Sequence, residues 1–568
     1  MNNKIKNFDV YPDKAQYRPG EEGNIILELN SESEISIDII VEFKILHNTE
    51  WVEKLRVDLK RDLSRITVPF TMSNYEWECF GVDVTILMND LIMIEKSTAF
   101  DVADHWKRAP RYGFLSDFQK SELGNLNDID ALNKFHINII QFYDWMYRHD
   151  SLVPPTDEFI DPMGRSLSYQ VVKEKIAYLH NKGMAALAYG AVYASLKDFF
   201  NEHKDWGLYK NDGDPYNLID IFYIMDISSG SEWNDHIISE FGKVISEGFD
   251  GIHMDQYGFP KKAIRLHNDE KELIDLAECY PKLINETKEH LLKIDPEVGL
   301  IFNNVSNYPV HTTAKTDQEA IYIEVWPPVI HLRVLKSLID RGRELGEGKH
   351  VILSAYLPTF KPENKDYATA ENGALLTMAT IFASGGYHLL LGEENKVLTE
   401  AYYPSYGSIR EEFINELRSY YDFIVRFGKL LYEHNLIDLS FTYTGGINTE
   451  IKFSGETDFS PNGDLNTVWT IVKQSSNYQV IHLINLIGLD NDYWEHGKNK
   501  RPETQEDIKC TVLIEKKVNG VSLASPDFDS TKPIELDYEI VEHEHGNAIR
   551  FVVPQLLIWD MVYIELIG

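Results

Sequence analysis

The sequence predicts a multidomain protein, α/β in its middle and all-β at both ends. The reading is a (β/α)8 TIM barrel between an N-terminal immunoglobulin-like β-sandwich and a C-terminal β-sandwich. Three observations predict it. The chain has 568 residues, more than one ordinary core holds, so roughly two to four domains are expected. Short alternating apolar runs bounded by turns fill both ends. Between them strands alternate with helices until eight strands are counted, the number of a closed parallel barrel. The limits fall at 1–103, 104–435 and 436–568.

In the first segment the runs are Asn24 to Leu29, Ile35 to Ile40, Ile66 to Phe70 and Gly81 to Leu87, separated by turns such as Pro19-Gly20. Their alternation suits a small antiparallel sandwich. From about His105 the rhythm becomes strand, helix, strand. Strands one to three read as Tyr112 to Leu115, Asn138 to Asp144 and Met184 to Tyr189. A helix from about Ser168 to Asn181, stopped by Gly183, precedes the third, and Ile221 to Asp226 reads as an excursion. A helix from about Trp233 to Glu247, closed by Gly248, leads into strand four at Gly251. A long helix is expected from about Glu272 to Lys293. Strands five to eight read as Gly299 to Asn304, Ala320 to Trp326, His350 to Ala355 and Tyr387 to Leu391, and one last helix as Ile409 to Leu431. Alternation then returns at Val468 to Val472, Val480 to Ile487 and Met561 to Leu566, a second sandwich.

Composition excludes some functions. The net charge of −35 argues against binding a phosphate backbone or an anionic membrane, so no nucleic-acid or membrane partner is expected, and a monomer is. Cys79, Cys279 and Cys510 are too scattered for a disulfide framework or a zinc site. Asp458 to Gly463 opens like a calcium loop, yet Trp469 stands where the twelfth-position Glu belongs. No metal or organic cofactor is expected. The stretch Met1-Asn-Asn-Lys-Ile-Lys lacks the apolar core of a leader, so the chain as written is expected in the cytosol, or secreted if a leader has been removed.

The most informative stretch is Asp250-Gly-Ile-His-Met-Asp255-Gln256, where a β-type run ends in an acid. In a parallel barrel the C-terminal strand ends carry the chemistry. Side chains alternate along a strand, so Gly251, His253 and Asp255 share one face of strand four. On strand six Tyr322, Glu324 and Trp326 share a face. The aliphatic residues between them suit the helical outer ring, so both carboxylates are expected to look into one mouth. Two facing carboxylates can perform glycoside hydrolysis, one attacking the anomeric carbon and the other protonating the departing oxygen. An inward acid can also be a salt-bridged packing residue. Sugar-binding candidates on the same rim are Asp144 and Trp145 after strand two, Gln256 and Tyr257 after strand four, Asn303 and Asn304 on strand five, and Glu393, Glu394 and Asn395 after strand eight. Asp226 is a competing nucleophile without a second acid in register.

At these residues the chain resembles glycoside hydrolase family 66, which holds dextranases and cycloisomaltooligosaccharide glucanotransferases. The matching pieces are Tyr11-Pro-Asp-Lys with Tyr17-Arg-Pro-Gly-Glu21, Phe142 to Tyr147, Gly248 to Gly258 and Tyr322 to Trp326. The resemblance implies Asp255 as nucleophile, Glu324 as general acid/base and an α-1,6-linked glucan or isomalto-oligosaccharide as substrate. Cyclising members of the family carry a carbohydrate-binding module after the seventh strand. Here only Leu357 to about Glu371 lies there, so a retaining endo-hydrolase of dextran type is expected. The alternatives are the cyclising glucanotransferase, another barrel glycosidase of α-galactosidase type, and a non-catalytic carbohydrate binder.

Overall fold

The computed structural model describes residues 5–71, 73–267 and 270–567. Residues 1–4, which carry part of the reading of the N-terminus, lie outside them.

The central sheet positions the site. Strands one to seven are Tyr112–Leu115, Ile139–Phe142, Ala185–Ala191, Gly251–Asp255, Gly299–Val305, Ala320–Glu324 and Val351–Ser354, and each pairs in parallel with the next. The eighth run is split. Tyr387–His388 pairs with strand seven and Leu391–Gly392 with strand one, so the ladder returns to its start. These strands are buried almost throughout, as strands covered on both faces must be. Gly251 is required where it stands, because a Cβ there would lie 2.2 Å from the backbone oxygen of Gly299.

The helices between strands include Tyr169–Asn181, Glu232–Ser246, Leu276–Leu291, Leu332–Leu345 and Tyr367–Ser384. Two expectations need correction. The helix expected from Glu272 begins at Leu276, because Lys262–His267 and Glu270–Asp275 form an antiparallel pair. Asp275 ends that pair and caps the helix, its carboxylate accepting the Ala277 N–H at 3.1 Å. The last helix is two, Glu411–Arg426 and Gly428–Tyr432, broken at Phe427. The break falls against the N-terminal sheets: a Cβ at Gly428 would stand 2.9 Å from Cys79 Sγ.

Before strand one lie a three-stranded and a four-stranded antiparallel sheet, with a separate apolar core that includes Leu27, Phe43, Val82 and Phe100. After residue 436 come a seven-stranded and a four-stranded sheet around Val472, Leu483, Phe551 and Val562. Two buried ion pairs tie the first sheets to the rest. The Arg111 guanidinium donates to both Asp101 oxygens at 2.8 and 3.1 Å, and Arg426 donates to both Asp83 oxygens at 2.7 and 3.1 Å.

Candidate active site

A cavity of about 710 Å³ opens at the C-terminal ends of the parallel strands, large enough for more than one sugar ring. Asp255 from strand four and Glu324 from strand six both line it. Between them Asn303, from strand five, donates from one amide nitrogen to both acids, at 2.7 Å to Asp255 Oδ1 and 2.9 Å to Glu324 Oε2. Two oxygens bonded to one nitrogen can be no further apart than those bonds laid end to end. They are therefore closer than the roughly 6.5–9.5 Å between carboxyls that an intervening water needs, and compatible with the roughly 5–5.5 Å of direct attack.

The other oxygens are held by tyrosines. Tyr189, on strand three, donates to Asp255 Oδ2 at 2.7 Å, and Tyr356, just past strand seven, donates to Glu324 Oε1 at 2.7 Å. Each acid thus has a fixed orientation and no cation beside it. Burial pushes the Asp255 carboxyl up to about 7, with the neighbouring Glu324 charge adding to the rise. Burial also raises Glu324, against the hydrogen bonds of Asn303 and Tyr356. A buried pair that repels holds its two titrations apart, so one carboxyl keeps its proton after the other has lost it. His253, two residues before Asp255, sits with Nδ1 2.9 Å from the Tyr112 hydroxyl, and burial lowers it to about 3, so the ring is neutral.

The other candidates separate. Asp144 lines the cavity at 8% exposure in a left-handed conformation, φ 48°. Tyr257 and Trp326 line it as well, the indole 37% exposed at the mouth. Gln256 lines it, but its amide is engaged with backbone: Nε2 donates to the Asn303 and Tyr308 carbonyls, and Oε1 accepts from Gly258 N–H at 2.6 Å. Asn304 faces away, bonded to Thr313 and to the Phe302 and Tyr322 carbonyls.

Four candidates are corrected. Trp145 does not reach the cavity. The turn at Asp144 sends it behind strand three, where it is fully buried against Phe249 and donates to the Tyr189 carbonyl. Glu393 is buried beneath the rim, accepting the Ser116 hydroxyl at 2.8 Å. Glu394 is exposed and Asn395 lines a separate groove beside Arg418. Asp226 stays out of the cavity, accepting from Ser228 at the start of the Glu232–Ser246 helix, with Arg265 3.8 Å away. The wall expected from Glu393 to Asn395 is built instead by Tyr402 and Tyr403. Tyr403 stacks on Tyr143 at 4.2 Å and meets the Tyr322 hydroxyl at 3.1 Å. The tyrosines that hold the acids were also missed, although Tyr189 and Tyr356 stand at strand ends, where the rule used for the acids applies equally.

Known proteins share this arrangement of elements. Two curated cycloisomaltooligosaccharide glucanotransferases of Niallia circulans are each 24% identical over 98% of this chain, covering 71% and 72% of their own lengths. The first aligns over 708 positions, more than the 568 residues available here, so that relative carries inserted residues without a counterpart. A crystal structure of a Paenibacillus sp. cycloisomaltooligosaccharide glucanotransferase complexed with cycloisomaltoheptaose superposes with a TM-score of 0.87 at 21% identity, over 99% of both chains. The family described as Glycosyl hydrolase family 66 matches residues 12–563, nearly the whole length, and the chain belongs to it.

Proposed function

We propose that the protein is a retaining, endo-acting hydrolase of α-1,6-linked glucan or isomalto-oligosaccharides. Its catalytic unit is a (β/α)8 barrel between two β-sandwiches, with limits near 103 and 435. One observation carries the reading: a single Asn303 nitrogen bonded to both carboxylates, in a cavity large enough for a sugar chain. Family membership and the glucanotransferase relatives support the substrate class.

In the mechanism Asp255, ionised and aimed by Tyr189 and Asn303, attacks the anomeric carbon. Glu324, protonated and aimed by Tyr356 and Asn303, gives its proton to the departing O6 as the C1–O6 bond breaks. The same Glu324 then takes a proton from water as that water's oxygen displaces Asp255 from C1. Each partner can act only if the pair starts with one proton, and burial with mutual repulsion favours that state.

Cyclising transfer is the second reading, and the names of the relatives favour it. Hydrolysis is favoured by the short connection between strand seven and the Tyr367–Ser384 helix, which holds only a 3-10 turn at Pro358–Phe360. Chromatography of the products from dextran separates the two, linear oligomers against rings. For the residues, Asp255→Gly is expected to lose turnover and to recover it with azide, yielding a β-glycosyl azide. Full activity in Glu324→Gln together with no azide rescue would remove both assignments.

A further inference from the structure

Asp144 is the one carboxylate lining the cavity that the proposed chemistry does not use. It is more than nine-tenths buried, and among the described residues none donates a hydrogen bond to its carboxylate. The nearest cation, Arg165, stands 3.8 Å off. Its guanidinium is committed elsewhere, donating to Asp161 Oδ2 at 2.7 Å, to the Ser116 carbonyl at 3.1 Å and to the backbone oxygen of Asp144 itself at 2.8 Å. A desolvated carboxylate without donors is costly to keep, and buried polar groups in folded proteins normally have partners. Asp144 is arranged to receive its donors from a ligand.

Its place on the rim says which donors. The acids stand on strands two, four and six, with Asp255 in the middle, Glu324 on the leaving-group side and Asp144 on the opposite side. Neighbouring strands are about 4.8 Å apart, so the backbones at Asp144 and Asp255 flank a space that one pyranose ring can bridge. Tyr189, whose hydroxyl holds Asp255, packs 5.1 Å from Tyr143 beside Asp144, so the floor between the two acids is continuous. A ring with C1 at Asp255 points its far edge, O3 and O4, at Asp144. An ionised carboxylate offers two acceptor oxygens side by side, which suits two adjacent hydroxyls.

We infer that Asp144 is a specificity-determining residue whose carboxylate accepts the O3 and O4 hydroxyls of the reacting glucosyl unit. The inference rests on the glycosidase reading of the site and deepens it. In a 1,6-linked glucan both hydroxyls are free on every unit. In a 1,4- or 1,3-linked chain one is replaced by a glycosidic oxygen, which has no hydrogen to donate and carries another ring. The residue therefore reads linkage by demanding a free diol.

A cycle between side chain and substrate tests this. The substrates are nitrophenyl α-isomaltoside and its analogues lacking O3 or O4 on the ring that bears the nitrophenyl group. The variants are Asp144→Gly, which keeps the left-handed backbone without strain, and Asp144→Asn, which tolerates it and keeps one acceptor. In the unaltered protein each deoxygenation is expected to lower kcat/KM about ten- to a hundredfold, the worth of a hydrogen bond to a charged group. In Asp144→Gly the parent substrate loses as much, and further deoxygenation costs little. Asp144→Asn falls between. Equal deoxygenation penalties with and without the carboxylate overturn the role of Asp144 and leave the function standing. If the unaltered protein cleaves nitrophenyl α-galactoside and not the glucosides, the functional reading falls and this inference with it.

Discussion

Two sets of buried carboxylates, one at the join between the N-terminal sheets and the parallel strands and one in the strand-end cavity, are treated in opposite ways by their surroundings. Burial alone would raise Asp83, yet the Arg426 charge and hydrogen bonds, with Lys44 nearby, hold it below the usual carboxylate range. Asp101 is locked by Arg111 in a two-pronged contact. Asp255 and Glu324 are just as buried and have neutral donors only, so both rise. The difference teaches that burial says little about a carboxylate's role until its partner is named. Glu393 refines the lesson. Burial lifts it to about 7 as well, but it sits under the rim and bonds Ser116. Open space next to a raised acid, not the raised acid alone, marks a reactive group.

The comparison breaks most sharply on activity. Asp255→Asn is expected to lose on the order of 10⁴-fold or more in kcat, since no other group can form the bond to the sugar. Arg111→Ala, by contrast, is expected to destabilise the fold by about 3–5 kcal/mol, because it strands Asp101 as an uncompensated buried charge. Denaturant titration at constant m value measures the second, and dextran turnover of whatever remains folded measures the first. An Arg111 variant of unchanged stability would show that the two acid populations do not differ as described.

Asn303→Ala sharpens the contrast within the cavity. Its amide lowers both acids by donating to each, so its loss lets both rise further. The acidic limb of the pH profile of kcat/KM, set by protonation of Asp255, is then expected to move to higher pH. The loss of positioning is expected to cost about a hundredfold in rate. A rate loss with the limb unmoved would mean that Asn303 aims the carboxylates without tuning them.

Much of the site was legible because period two is rigid. Once strand four was aligned on Gly251, His253 and Asp255, and strand six on Tyr322 and Glu324, the pleat left no freedom about which side faced the cavity. Legibility ended where the chain left the strands. Asp144, Glu394 and Asn395 all adopt positive φ, 48°, 46° and 62°, and a left-handed residue breaks the alternation on which the reading depended. Trp145 therefore turned inward behind strand three, and the Glu393 to Asn395 turn carried its polar groups off the rim. The pair Lys262–His267 and Glu270–Asp275 was missed for a related reason. Its residues are largely exposed, so no apolar periodicity separated strand from helix before Leu276.

The smallest effect concerns stability. Asp255 has a folded-state pKa raised from the ordinary carboxylate range to about 7. Between those values the folded state holds a proton that the unfolded chain has released, so stability falls as pH rises through that window. Below the window Asp255 is protonated in both states and costs nothing. Asp255→Asn removes the charge and keeps an oxygen for the Tyr189 and Asn303 donors. The variant is therefore expected to match the unaltered protein near pH 4 and to gain about 1–2 kcal/mol by pH 8, once lost charge-assisted hydrogen bonds are set against the relieved repulsion. Melting curves of the two proteins across that range measure the gap. A gap that stays constant with pH would mean that the carboxylate is ionised at no cost in the folded protein, and the contrast with the arginine-bound acids would disappear.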